Sequence, residues 1–87
     1  MSYRVILSTT AQKELEALQD ADVKRVRKKV LELAENPRPP GCRKLKGYDN
    51  RCWRVRAGDY RILYEIEDVL SIVDIWRIRN RRDVYDR

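Results

Sequence analysis

The side chains best suited to chemistry are arginines that alternate with apolar residues in the second half of the sequence. They are Arg54, Arg56, Arg61, Arg77 and Arg79. Because successive side chains of a β-strand point to opposite faces, this spacing predicts five guanidinium groups on one face of a sheet. Like charges so close repel more strongly as water is excluded, which points to a phosphate chain as their counterpart. A solvated outer sheet face with scattered arginines is the alternative interpretation.

The positive charge of the chain is concentrated in the same half. Residues 1–37 carry seven basic and six acidic side chains, whereas residues 38–87 carry thirteen and eight. Tryptophans and tyrosines are interleaved with the basic residues, and aromatic rings can stack on nucleic-acid bases. The pattern favours a polyanionic partner, although charge alone is equally compatible with a surface that only confers solubility.

Histidine is absent from the sequence, which removes every catalytic scheme that needs an imidazole base. The two cysteines, Cys42 and Cys52, are ten positions apart and have too few companion ligands for a zinc site. We therefore predict no metal and no cofactor. Two idle thiols are favoured over a disulfide between them, which stays open at this point.

Two helices are predicted to follow a short amino-terminal strand over residues 3–7. The first opens at Thr9, which with Gln12 resembles a capping box, and the second is capped by Asp20 and ends before Pro37. Their short connection predicts an antiparallel helix hairpin. Apolar residues recur at helical spacing in both helices, at Ala11, Leu15, Leu18, Val23, Val26, Val30, Leu33 and Ala34.

After the linker at residues 38–41 the apolar period changes to two, which predicts strands over residues 51–57, 60–67 and 69–79. Short reversals make these strands an antiparallel meander that the amino-terminal strand can join, with the helices covering one face. This is an α+β fold in a single domain, residues 1–87. Both tryptophans are predicted in the core, and the apolar set of the last strand is predicted as Leu70, Ile72, Trp76 and Ile78.

The apolar runs are short, and the first residues lead into a strand rather than a secretory signal. We therefore expect a cytoplasmic protein with no contact with membranes.

Element order and several short motifs together resemble the RelE/ParE toxin superfamily over essentially the whole chain. The motifs are residues 37–40 (PRPP), 43–47 (RKLKG), 53–56 (WRVR), 58–65 (GDYRILYE) and 79–85 (RNRRDVY). The resemblance implies the toxin of a type II toxin–antitoxin system. RelE toxins are metal-independent endoribonucleases that cut messenger RNA in the ribosomal A site, and a cognate antitoxin restrains them in a hetero-oligomer.

The resemblance also implies catalytic roles for individual residues. Arg61 matches the family arginine that stabilises the phosphate. Arg79 matches the arginine that stabilises the transition state or protonates the leaving group, and Tyr85 matches the tyrosine that orients or activates the nucleotide. Arg54 and Arg56 match the basic pair on the first meander strand. Further contacts with RNA are expected from Lys44, Lys46, Arg77, Arg81 and Arg82.

Two departures from the family pattern affect the expected chemistry. The best-known RelE has lysines where this chain has Arg54 and Arg56, and a guanidinium stays protonated at any accessible pH. Many relatives have histidine where this chain has Asn80. The proton acceptor is therefore unassigned, with Tyr85 as a candidate. Two other functions stay open: a ParE-like inhibitor of DNA gyrase that acts by binding, and an RNA-binding member with weak catalysis.

Overall fold

In a computed structural model, which describes residues 2–45 and 51–80, a five-stranded mixed sheet carries two helices on one face. The elements are β1 (Arg4–Leu7), α1 (Thr9–Glu16), α2 (Asp20–Glu35), β2 (Arg43–Lys44), β3 (Cys52–Ala57), β4 (Tyr60–Glu67) and β5 (Ile72–Asn80). The strand order is β1-β5-β4-β3-β2, with β1 parallel to β5 and the other neighbours antiparallel. The α+β fold, the meander and the added amino-terminal strand are confirmed, and β2 was not predicted.

In both helices the cap lies one residue before the predicted one. Ser8 caps α1, because its Oγ accepts a hydrogen bond of 3.0 Å from the backbone N–H of Ala11, so the prediction of Thr9 was wrong. Gln19 occupies the cap position of α2, and the predicted cap Asp20 is its first helical residue. The carboxyl end was predicted correctly, since Asn36 caps α2 before Pro37. In the described part of the chain, neither helix is both long and apolar enough to cross a membrane.

The core lies between the helices and one face of the sheet. Tyr64 is fully buried there and donates a hydrogen bond of 2.8 Å from its hydroxyl to the carbonyl of Pro37, which ties β4 to the segment after α2. Burial raises the pKa of this hydroxyl. Cys42 and Cys52 are both free thiols. The other core residues are Ala11, Leu15, Val26, Leu33, Val55, Ala57, Ile62, Ile66, Val73, Ile75 and Ile78.

A one-residue bulge in β5 corrects the predicted apolar set of that strand. Leu63 lies opposite Arg77 and Tyr64 lies opposite Ile75, so Trp76 is an extra residue between them. The core residues of β5 are therefore Val73 and Ile75 before the bulge and Ile78 after it. The predicted set was wrong for the three other members, because strict alternation does not allow for an extra residue.

Of those three, Leu70 is exposed in the turn before β5, while Ile72 and Trp76 are half-buried and lie outside the core cluster. Trp53, in contrast, packs against the core as predicted. The bulge has a second effect on the odd-numbered residues of β5. Val73 and Ile75 face the helices before the bulge, whereas Arg77 and Arg79 lie on the opposite face after it.

Candidate nucleic-acid interface

Two cross-strand rows of arginines occupy the face of the sheet that the helices do not cover. The first row consists of Arg56, Arg61 and Arg79, which are direct partners on β3, β4 and β5. In the second row, Arg54 on β3 is the partner of both Arg43 on β2 and Leu63 on β4, and Leu63 in turn is the partner of Arg77 on β5. We call this group the arginine face: Arg43, Arg54, Arg56, Arg61, Arg77 and Arg79.

Arg61 lies at the centre of the first row and is the most buried of these arginines, with 8% of its surface exposed. Its partners on both neighbouring strands are also arginines, and like charges directly opposite each other destabilise a sheet. A guanidinium cannot relieve this repulsion by losing a proton. The first row therefore brings three positive charges together on adjacent strands, and an anion would stabilise it.

A cleft of about 140 Å³ opens beside this row. Its lining consists of four guanidinium-bearing residues together with Gly41 and Val55. A planar guanidinium matches phosphate oxygens with two parallel hydrogen bonds, so a cleft lined in this way suits a phosphate group. The four arginines are Arg43, Arg54, Arg56 and Arg61.

Arg77 lies on the arginine face by register, but its guanidinium is held by Glu14 of α1. Nε and Nη2 of Arg77 donate to Oε2 of Glu14 at 3.1 and 2.9 Å, and the hydrogen bond raises the pKa of Arg77. The other carboxylate oxygen, Oε1, accepts the backbone N–H of Ile78 at 2.7 Å. The structure therefore does not offer Arg77 as an uncompensated charge, and its predicted contact with RNA stays a prediction.

Glu14 was missed by the reasoning from sequence, although one signal was present. It follows Ala11 by three residues and precedes Leu18 by four, so it lies on the apolar stripe of its helix. A carboxylate on a core-facing stripe requires a hydrogen-bonding partner, because its burial without one is costly. The identity of that partner, 63 residues away on β5, could not be read from the spacing.

β2 separates the two basic residues that the sequence places side by side. Arg43 is the partner of Arg54 on the arginine face, whereas Lys44 is the partner of Trp53. The ammonium of Lys44 lies 5.7 Å from the centroid of the Trp53 ring, and the guanidinium of Arg38 lies 5.5 Å from it. Lys44 is thus not brought together with the arginines, and Arg43, which was not among the predicted residues, is.

Four other predicted site residues, Lys46, Arg81, Arg82 and Tyr85, lie outside the described residues. Among residues 2–45 and 51–80, we find no group of three acidic or cysteine side chains placed to hold a metal ion. The described arrangement is thus a cationic surface with a phosphate-sized cleft.

The family assignment comes from comparison with known proteins. Residues 5–85 match the family model of the ParE toxin of the type II toxin–antitoxin system parDE. The chain belongs to the RelE/ParE toxin superfamily. It is also 31% identical to an Escherichia coli protein assigned as a RelE-like toxin, over 99% of this chain and 93% of that protein.

Solved structures of RelE toxins share the fold of this RelE/ParE toxin. The archaeal RelE–RelB complex of Pyrococcus horikoshii contains a chain 28% identical to it, with a TM-score of 0.82 and coverage of 93% of this chain and 97% of that one. The RelBE2 toxin–antitoxin complex of Mycobacterium tuberculosis contains another, also 28% identical, with a TM-score of 0.81 and coverage of 93% and 100%. The protein is therefore the toxin of a type II toxin–antitoxin system.

Proposed function

We propose that this RelE/ParE toxin is a cytoplasmic endoribonuclease that cuts messenger RNA in the ribosomal A site. The observation that carries the proposal is the first arginine row, in which the buried Arg61 lies between Arg56 and Arg79 on three adjacent strands. A row of fixed cations on rigid strands supplies electrostatic stabilisation for a phosphate whose charge rises during reaction.

The reaction would proceed by attack of a ribose 2′-hydroxyl on the adjacent phosphorus. The bond between phosphorus and O5′ breaks, which leaves a 2′,3′-cyclic phosphate and a 5′-hydroxyl. Arg61 would contact the non-bridging oxygens, and Arg79 would stabilise the transition state by donating a hydrogen bond to the departing O5′, which takes its proton from water. The 2′-hydroxyl proton needs an acceptor, and Arg54 and Arg56 cannot be that acceptor because guanidinium groups stay protonated. Tyr85 is the candidate base, and no metal ion is required.

The ribosome would decide where the messenger is cut. Arginine contacts to the phosphate chain position nucleic acid but do not distinguish one base from another. Because the arginine face offers contacts of this kind, a cut at a defined codon has to come from the register in which the A site holds the messenger. This account predicts slow or no cleavage of free RNA.

A translation extract tests the proposal directly. The purified chain should cut messenger at discrete codons in the extract without any metal ion being added along with it. Arg61→Ala and Arg79→Ala should each reduce cleavage by about 10²–10³-fold, as expected for loss of one group that stabilises developing charge. The matched control is Arg27→Ala, which removes the same charge from an exposed position on α2. Unchanged cleavage by the Arg79→Ala protein would refute the assignment.

A second candidate function, inhibition of DNA gyrase, is favoured by the description of the matching family model as a ParE toxin. Such an inhibitor acts by binding and has no need of a reactive arginine row. A supercoiling assay separates the two: inhibited gyrase with intact messenger in the extract would favour the ParE-like function, and the reverse result would favour the ribonuclease. RNA binding that falls steeply with salt, with no cleavage and no growth arrest, would point to a catalytically weak RNA-binding member.

We further propose that a cognate antitoxin binds this toxin in a hetero-oligomer. The solved complexes with similar folds contain RelE together with RelB. A net charge of +6 favours an acidic antitoxin segment, and a segment that folds on binding could cover the basic surface. Co-expression of the toxin with the neighbouring gene product should abolish growth arrest, and the two chains should copurify.

A further inference from the structure

The outer face of the sheet changes from basic to acidic along the direction of its strands. Beyond the second arginine row, Glu65 on β4 is the direct partner of Asp74 on β5. Glu67 follows two residues later on the same face of β4. We call these three carboxylates the acidic end. Two residues of a strand span about 7 Å, so the acidic end begins within one Debye length of the arginines.

Two arginines, Arg51 and Arg4, partly offset the negative charge of the acidic end. Nη1 of Arg51 lies 2.8 Å from Oε1 of Glu67, and its Nη2 lies 3.4 Å from Oε2 of Glu65, so one guanidinium bridges both carboxylates. Arg4, on the edge strand β1, lies in the same row as Glu67 because both are partners of Ile72. The acidic end still carries three negative charges against two positive ones, whereas the arginine face keeps a large positive excess.

We propose that the acidic end is an electrostatic boundary that confines the phosphate chain to the two arginine rows. A chain that crosses the strands meets guanidinium groups from β2 to β5. A chain that follows the strands has to pass Glu65 and Asp74 after the second row, where like charge repels each further phosphate. The boundary therefore sets the direction of the RNA and limits how many nucleotides the face can hold. This inference rests on the proposed function of the arginine face as an RNA-binding surface.

The test is a binding titration with the full chain and single-stranded RNA of increasing length, repeated over a range of KCl concentrations. Glu65→Gln combined with Glu67→Gln, called the boundary variant, removes both negative charges of the acidic end on β4. The matched control, Glu16→Gln combined with Glu35→Gln, makes the same change of net charge on exposed helix positions. Circular dichroism verifies that both variants are folded.

We expect the boundary variant to bind longer RNA about fivefold more tightly than the control variant. Because loss of the boundary lets one more phosphate be neutralised on this face, the slope of log affinity against log salt should become steeper by about 0.7. Affinity of the unmodified chain should level off at a shorter RNA length than affinity of the boundary variant. Equal affinity, slope and length dependence in the boundary and control variants would overturn the proposal.

Polyphosphate serves as a second probe, so that failure of the boundary and failure of the ribonuclease function can be told apart. A gain for the boundary variant with polyphosphate, together with absence of messenger cleavage by the unmodified chain, would support the boundary and refute the ribonuclease. Cleavage by the unmodified chain, with no gain in affinity of the boundary variant for either probe, would support the ribonuclease and refute the boundary. Absence of binding to both probes in both proteins would overturn the boundary.

Discussion

Glu14 in helix α1 holds the guanidinium of Arg77 in strand β5, with Oε2 of the carboxylate 3.1 Å from Nε and 2.9 Å from Nη2. The contact lies beyond the last residue pair between β1 and β5, Leu7 with Ile75, where β5 has lost its strand partner on that side. Ser8 also bonds this edge, since its backbone N–H donates to Ile75 and its hydroxyl donates to the carbonyl of Trp76. The cap residue Ser8 and Glu14 in the carboxyl-terminal half of α1 thus take the place of a strand and provide hydrogen-bond partners at this edge.

Replacement of Glu14 by alanine should destabilise the fold, because it leaves the N–H of Ile78 and the guanidinium of Arg77 without their acceptor. We expect the free energy of unfolding to fall by about 1–3 kcal/mol, measured by urea denaturation. Glu14→Gln retains an acceptor and should cost less. Glu16→Ala, at an exposed position of the same helix, is the control, and an equal loss in the two alanine variants would contradict the role of Glu14.

Arg56 should lower the stability of the fold while it contributes to cleavage of messenger. It is exposed and lies directly opposite the buried Arg61, so Arg56→Gln removes a like-charge pair from the sheet. We expect the free energy of unfolding to rise by about 0.2–1 kcal/mol at low salt, with a smaller gain at high salt, while cleavage of messenger falls. Arg27→Gln is the matched control on α2. A loss of stability in the Arg56 variant relative to this control would contradict the prediction.

Low pH should weaken the hydrogen bonds that Tyr3 and Arg38 donate to the carboxylate of Asp68. Hydrogen bonds from Arg38 at 2.9 Å and from the hydroxyl of Tyr3 at 2.8 Å lower the pKa of Asp68 in the folded protein. A carboxyl group whose pKa is lower in the folded state stabilises the fold above its unfolded pKa of about 3.9, and this contribution is lost as the pH falls through the folded pKa. The stability difference between the unmodified chain and Asp68→Asn should therefore shrink as the pH falls below about 4.

The measurement is a series of urea denaturations between pH 7 and pH 2.5. Asp20→Asn, a matched change at the exposed first residue of α2, provides the control. A difference between the Asp68 variant and the unmodified chain that stays constant with pH would show that the cluster does not contribute through the carboxylate charge.

Gly58 should not tolerate a side chain. It has a φ of +64°, in the two-residue turn between β3 and β4, and an added Cβ would lie 3.1 Å from Cδ of Arg25 on α2. We expect Gly58→Ala to cost about 1–2 kcal/mol in unfolding free energy, chiefly from the left-handed backbone. Gly58→Asn should cost less, because asparagine visits this conformation more readily. Gly41→Ala provides a comparison, since its φ is +93° but no atom lies within 4 Å of the added carbon.

Periodicity in the sequence was enough to predict both helices and four of the five strands, because the alternating apolar residues of β3 and β4 can all be buried only if one face of the sheet packs against the helices. It also predicted that Arg54, Arg56, Arg61, Arg77 and Arg79 share a face, which their strand register confirms. The cap of α1 was misplaced by one residue, since Ser8 and Thr9 have the same capping chemistry and only the backbone geometry selects between them.

Long-range contacts could not be predicted from local patterns. The contact between Glu14 and Arg77 joins residues 63 positions apart, and β2 has two residues, too few to show a period. The prediction for β5 combined a correct result for Arg77 and Arg79 with a wrong one for Ile72 and Trp76. The reason is the extra residue in the strand. Odd-numbered residues face the core before the bulge, and even-numbered residues face it after the bulge.

The extra residue at Trp76 also constrains how this sequence can change. Deleting one residue between Val73 and Arg79 would restore strict alternation, and Arg77 and Arg79 would then turn toward the helices or Val73 and Ile75 would turn toward water. Substitutions within this segment alter one side chain at a time, but an insertion or deletion exchanges the two faces of a whole half-strand. We therefore expect the length of β5 to be far less variable among functional descendants of this chain than its composition.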